Sequence, residues 1–581
     1  MEAGRAAAGP IDPFLSDAAD ATGVRPPDPP PPAAGDFETI PQGKHARSRA
    51  GKRAGQRGAG GTRKPPPDDA ARAAQLNPQL AFFPMTDLGN AERFVERYRG
   101  RLLWCSALGW LWWDGQRWNR EGADEKVKVA EHDTVRAIQD EANWLAQSGD
   151  DVVVGWRAVG KEREDVYLSD KLSQWGRDSE AAARLNSISK RAGPYLAMQP
   201  GDLDADPFKI NVRNGTLVVQ RFGAEGVPIT FKPHDPDDLI TKIMPVDYDP
   251  DATAPTYDAF LAQVQPQEGN RRFLHQWGGL SLTGDVTEQR LVFCWGTGRN
   301  GKSTLLEIWA YVTGDYGRSV PIETFINEGR ARNAGQATPD LAMLKGVRFV
   351  YTTEPEKGGK LSEGLVKLVT GGDAIPVREL NHPYFMLRPA FKLIMSGNFR
   401  PRIHGGDSSH GIWRRMTLVP WNVTVDESKV DKSLPQKLQA EASGILNRLL
   451  DGLPDWIERG LVLPDEVLQA TERYRSDSDP LGRFLDAAPD GRVQSIELHS
   501  LFCAWAKANG EKEWTVTGFG RAMIERGYER KKADVNWWVG IKTVKTVNDF
   551  VDHEGKPLRQ AAPAAVGEQA TGQQCDDAVP L

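Results

Sequence analysis

Four short apolar runs punctuate the middle of the chain: Leu291–Trp295, Val347–Thr353, Phe391–Met395 and Thr417–Trp421. Runs of this length, rich in β-branched and aromatic residues and closed by glycine or polar residues, predict strands. After the first run the pattern changes. Thr304–Val312 is amphipathic with helical spacing and stops at Gly314, so the order is strand, glycine-rich loop, helix. Upstream, 81–240 predicts a mixed α/β domain. Asp114-Gly115 and Asn214-Gly215 are type I′ hairpin signals, and apolar positions within Lys126–Gln147 repeat with helical period. The tryptophans of this region read as core or as base-stacking platforms. A helical collar is expected over 250–285. Leu434–Tyr474 reads as mostly helical with breaks at Pro454 and Pro464, and Ser476–Pro480 as a linker. Then follow a helix (Leu498–Lys507), a second helix (Gly518–Arg526, capped by Thr517), a basic turn (Arg530-Lys531-Lys532) and a strand (Trp537–Val544). That order predicts a winged helix over 480–550, with Arg521, Arg526, Arg530, Lys531 and Lys532 toward DNA phosphates; a protein-docking module is the other reading.

Composition adds limits. The 581 residues leave room for three or four domains. Residues 1–80 and 551–581 hold too few bulky apolar residues to bury a core and are expected to be disordered. Within the first, Lys44–Lys64 carries eight Lys/Arg and no acid, either a weak DNA arm or a solubilising tail. The net charge of −6 means that any DNA contact is local. Cys105, Cys294, Cys503 and Cys575 form no C-x-x-C pair, which argues against a zinc ribbon and a disulfide framework and for a reducing compartment. No apolar run is long enough to span a bilayer and the start is not a signal peptide, so no membrane partner is expected.

The chemistry concentrates at Gly296-Thr297-Gly298-Arg299-Asn300-Gly301-Lys302-Ser303-Thr304. This G-x-x-x-x-G-K-S follows a strand and opens a helix, the context a phosphate-binding loop needs. Its backbone N–H groups can cradle phosphate oxygens at the positive end of the helix. Lys302 is placed for the β- and γ-phosphates of ATP, and Ser303 for Mg²⁺. Three later positions extend the site. Glu354 ends the second apolar run, where a carboxylate would position Mg²⁺ and orient the attacking water. Asn398 ends the third, where an amide would sense the γ-phosphate. Arg414 and Arg415 precede the fourth, where an arginine would complete a neighbour's site. Singly, such residues are ordinary caps or solvated charges; their order downstream of the loop singles them out.

These motifs, with Lys367–Asp373, Arg378, Ser396-Gly397-Asn398 and Gly411–Arg415, resemble the superfamily 3 helicases, and more closely the phage and plasmid primase/helicase family shared with poxvirus helicase-primases and satellite-phage replication proteins. Asp87–Asn90, Trp113–Trp118, Asn211–Thr216 and Leu280–Asp285 are similar to that family's N-terminal region, so the resemblance spans 85 to about 545. It implies an AAA+-like P-loop core over 286–475 and a ring, most often a hexamer, that uses ATP and Mg²⁺ to translocate 3′ to 5′ on single-stranded and forked DNA. It also implies replication-protein partners from phage or host, in the cytoplasm of a bacterial host cell. A channel hairpin is implied near Arg378–Tyr384, with Lys367, Arg378 and His382 contacting DNA. Family members often carry two adjacent acids at the second motif; here Thr353 precedes Glu354 and the next acid is Glu356, leaving their roles open. Relatives that prime carry paired carboxylates in a separate upstream domain; only the basic arm stands there in this sequence. An ATP-switched initiator without processive unwinding is the alternative, as is a helicase-primase whose priming activity is not visible in this chain.

Overall fold

The computed structural model describes residues 67–220, 229–326, 338–353, 359–403, 410–485 and 491–558. The basic arm within 1–66 and most of the C-terminal tail lie outside these residues. Pro67–Leu80 is helical with Leu80 fully buried, so the last part of the segment expected to be disordered is structured.

The centre is a five-stranded, wholly parallel sheet. Its strands are β1 (Leu291–Trp295), β2 (Gly317–Ser319), β3 (Phe349–Thr353), β6 (Lys392–Gly397) and β7 (Met416–Pro420), in the order β2-β3-β6-β1-β7. Between β3 and β6 lie a helix, α2 (Glu363–Gly371), and a small antiparallel hairpin, β4 (Ile375–Val377) and β5 (Phe385–Leu387). Parallel strands covered on both faces read as continuous apolar runs, and β6 and β7 are buried at every position. One face carries Val292, Cys294, Ile394 and Val419 onto α1 (Lys302–Thr313) and the helices Pro255–Val264, Glu268–Leu282 and Ala442–Arg459. The other carries Phe293, Met395 and Leu418 onto Val366 and Val369 of α2, and onto Tyr474 of α3 (Asp465–Asp477). The helices expected as a collar thus share one core with the helix that follows the glycine loop.

Local chemistry corrects several expectations. Trp113 pairs with Trp118, so Asp114-Gly115 sits in a four-residue connection, not a two-residue turn; the Asp114 carboxylate accepts the Gln116 and Arg117 N–H groups and sets the length. In the second hairpin Val212 pairs with Gly215, so the turn residues are Arg213-Asn214, and Gly215 is the first strand residue. Pro454 does not break its helix, which runs unbroken over Ala442–Arg459. The expected linker is half helical: α3 continues through Ser476 and Asp477, and the next helix begins at Pro480. The N-cap of Val516–Glu525 is Thr515, whose hydroxyl accepts from Gly518 N at 3.1 Å, not Thr517. Glu529–Lys532 is a strand paired with Asn536–Val539, so the three basic residues lie on a strand and the expected Trp537–Val544 strand is shorter. Residues Leu481–Ile541 enclose a core of their own around Phe502, Phe519 and Trp538.

Candidate functional site

The glycine loop leaves the C-terminal end of β1 and enters α1, where parallel α/β sheets bind ligands. Two of its glycines stand where a side chain would collide with a neighbour. A Cβ on Gly296 would stand 2.2 Å from the Trp421 carbonyl oxygen, and one on Gly301 (φ +80°) 2.8 Å from Val264 Cγ1. The loop is therefore wedged between the end of β7 and the helix Pro255–Val264. Arg299 holds φ +48°, its carbonyl accepts the Val425 N–H at 2.8 Å, and its guanidinium pairs with Glu427 at 3.0 Å on the surface.

Lys302 is buried at the first position of α1. Its Nζ donates to Gly296 O at 2.8 Å, Asn300 Oδ1 at 3.0 Å and Asn398 Oδ1 at 3.4 Å. Asn300 in turn donates to Trp421 O at 3.2 Å, a brace between loop and β7. Lys302 and Asn398, 96 residues apart, meet because β6 is the immediate neighbour of β1 (Gly397 beside Trp295). Ser303 and Thr297 are exposed on the loop side and Thr304 is half-buried. These backbone N–H groups, one ammonium and one hydroxyl fit a nucleoside triphosphate and a divalent ion. β3 ends at Thr353, level with Ser396 on β6; Glu354 and Glu356, which follow, lie outside the described residues. A cavity of about 410 Å³ lined by Asp258, His275 and Arg448 shares no residue with the loop. Within it Arg448 and Asp258 pair at 2.5 Å, and burial pushes the His275 imidazole down to about 4.

Arg414 and Arg415 stand at the opposite end of the sheet. Met416 pairs with Leu291, and the loop begins four residues further along, after Trp295, about 13 Å away at the rise of a strand. Arg415 is half-buried, donating to Thr370 Oγ1 at 3.0 Å and Gly411 O at 2.9 Å; burial and Arg414 lower its pKa. Arg414 is exposed and donates to Gln289 Oε1 at 3.0 Å. Gln289 carried no sequence signal.

Of the expected DNA contacts, Arg378 and His382 lie between β4 and β5, with the Arg378 guanidinium 4.7 Å from the Tyr384 ring centre. Lys367 does not belong to that hairpin; it sits on α2 beside Glu363 at 3.5 Å. Glu379, in the same tip, is bound by Arg120, a contact sequence reasoning missed because neither residue belongs to a motif. In the C-terminal segment Arg521, Arg530, Lys531 and Lys532 are exposed. Arg526 is not available to DNA: it pairs with Asp479 at 2.5 Å and is only 16% exposed. Strand alternation puts Arg530 and Lys532 on one face and Lys531 on the other.

Residues 91–266 match the family described as D5 N terminal like. The chain is 28% identical over 337 residues to "Putative helicase L207/L206" of Acanthamoeba polyphaga mimivirus, covering 53% of this chain and 34% of that protein. It is 28% identical over 273 residues to "Putative helicase 022R" of Frog virus 3 (isolate Goorha), covering 43% and 28%. It is 25% identical over 292 residues to "Putative helicase V13" of Sputnik virophage, covering 45% and 36%. The matches thus span roughly a third of the length of these relatives (34%, 28% and 36%). A solved structure of the NrS-1 C terminal region aligns over 51% of this chain and 78% of its own, at 11% identity and a TM-score of 0.33, too slight a likeness to build on. Among the described residues no helix is long and apolar enough to cross a membrane.

Proposed function

The chain belongs to the phage and viral helicase-primase family, and from that premise we propose that it is an ATP-dependent replicative DNA helicase. One observation carries the proposal: the Lys302 ammonium, the Asn398 amide and the glycine loop converge at the C-terminal end of a parallel sheet. The loop N–H groups cradle the phosphates. Lys302 exchanges its carbonyl partners for phosphate oxygens, and Asn398 reads the γ-phosphate. Ser303, with Glu354, would hold Mg²⁺, which would supply positive charge against the phosphates. Glu354 orients the attacking water, a role Glu356 takes if the two are exchanged.

The position of Arg414 and Arg415 supports a ring. At the far end of the sheet they cannot serve their own chain's loop, so one of them completes the site of a neighbour, in a heterologous interface that closes on itself, a hexamer in this reading. The β4–β5 hairpin grips single-stranded DNA through Arg378 and His382 and moves with the nucleotide cycle, 3′ to 5′. The core enclosed by Leu481–Ile541 acts as a winged helix that loads DNA. The partners are then forked DNA and the replication proteins of a phage and its bacterial host. The test is Mg²⁺-dependent ATP hydrolysis: Lys302→Ala should lower turnover by at least about 100-fold, and wild-type turnover in that variant would refute the site.

A further inference from the structure

Asn398 can act as a sensor only if the exposed turn that carries it is held still. Two residues further on, the Arg400 guanidinium carbon lies 5.1 Å from the ring centres of both Trp295 and Tyr474. Its Nη2 donates to Asp477 Oδ2 at 2.9 Å. A planar cation between two ring faces, tied to a carboxylate, has little freedom left. Other contacts close the bracket around 398–401. Trp295 Nε1 donates to Asn398 O at 3.2 Å, and the Tyr474 hydroxyl donates to Pro401 O. Trp413, directly before the arginine pair, meets Tyr474 edge-on at 5.1 Å. The sensor turn is thus fastened to Trp295, the last residue of β1 before the glycine loop, and to the C-terminal turn of α3.

We propose that Arg400 is a positioning residue for ATP hydrolysis, holding Asn398 in place without itself touching a phosphate. The proposal rests on the ATPase reading above. A partly exposed ion pair kept only for stability would contribute about 1 kcal/mol or less, and its loss would lower the melting temperature without a selective effect on turnover. A positioning role has a different signature. A misplacement of about 1 Å near the reacting groups can cost 100-fold in rate while binding persists.

The experiment measures steady-state ATP hydrolysis and the Kd of a fluorescent ATP analogue on the full chain, for Arg400→Met, Arg400→Lys, Asn398→Ala and the double variant Arg400→Met/Asn398→Ala. Arg400→Met should lower kcat by about 10- to 100-fold with nucleotide Kd nearly unchanged, and Arg400→Lys should recover part of it. The double variant should be no slower than Asn398→Ala alone, because Arg400 acts through Asn398. Wild-type kcat in Arg400→Met, or losses that multiply in the double variant, would overturn the proposal. Should Arg400→Met misfold, Asp477→Asn replaces it, since it removes only the exposed anchor; its smaller loss must likewise vanish in the Asn398→Ala background, and additivity there overturns the proposal too. A folded wild-type protein without ATPase activity overturns the functional reading itself, and this inference with it.

Discussion

Arg120 and Glu379 form a two-point ion pair across 259 residues, Nη1–Oε1 at 2.8 Å and Nη2–Oε2 at 2.9 Å. It ties the region that matches the D5 N terminal like family to the tip between β4 and β5. Hydrogen bonding from Arg120 holds the Glu379 carboxyl below its usual range, against an opposing effect of burial. Both side chains are partly exposed, so the pair is worth about 1 kcal/mol or less. Its contribution is complete above the unfolded Glu pKa of about 4.3 and is lost as pH falls through the lowered folded value. On a tip proposed to grip DNA, its larger consequence would be charge, because a bare carboxylate repels phosphates.

The two partners should therefore differ in effect. Arg120→Ala uncovers Glu379 and should weaken single-stranded DNA binding by about 3- to 10-fold at low salt. Glu379→Gln removes the repulsion and should leave affinity unchanged or raise it. Fluorescence anisotropy with an oligothymidylate reads both; equal weakening would mean the pair serves only to hold shape.

Arg414 and Arg415 lie too far from their own loop to act in cis. An inactive Arg414→Ala or Arg415→Ala protein mixed with inactive Lys302→Ala should regain part of the ATPase activity, since some interfaces then pair an intact loop with an intact arginine. Exposure favours Arg414 as the acting group: Arg415 already bonds Thr370 and Gly411. Absence of rescue at every mixing ratio, with mixed assembly verified by native mass spectrometry, would contradict the trans arrangement.

On the strand Glu529–Lys532, Arg530 and Lys532 face one way and Lys531 the other, beside Glu529 at 3.5 Å. If the first face meets duplex phosphates, Arg530→Ala and Lys532→Ala should each flatten the dependence of log K on log salt by about 0.9. Lys531→Ala should leave that slope alone, and an equal change in all three would place both faces near DNA. Basal ATP hydrolysis should not change in any of them.

Four of the five strands of the sheet, the loop and its helix were legible because each is specified locally; Gly317–Ser319, three residues with no apolar run, was not. Leu291–Trp295 is apolar enough to be buried on both faces, and Gly301 fits where no side chain would. Turn lengths were less legible: Asp114 lengthened its own turn through side-chain hydrogen bonds, and packing of Leu449, Leu450 and Leu453 outweighed the helix-breaking tendency of Pro454. Arg526 looked like a DNA contact because its partner Asp479 lies 47 residues away. Arg120, Gln289 and Arg400 were invisible for the same reason: each owes its place to long-range partners that no local pattern encodes.

The most direct measurement is strand displacement on forked duplexes carrying a 3′ or a 5′ single-stranded arm, with ATP and Mg²⁺, for wild type and Lys302→Ala. Displacement by wild type from the 3′ arm, little from the 5′ arm and none by Lys302→Ala is the expected result. A wild-type protein that hydrolyses ATP and binds the forks yet displaces no strand from either would contradict a helicase.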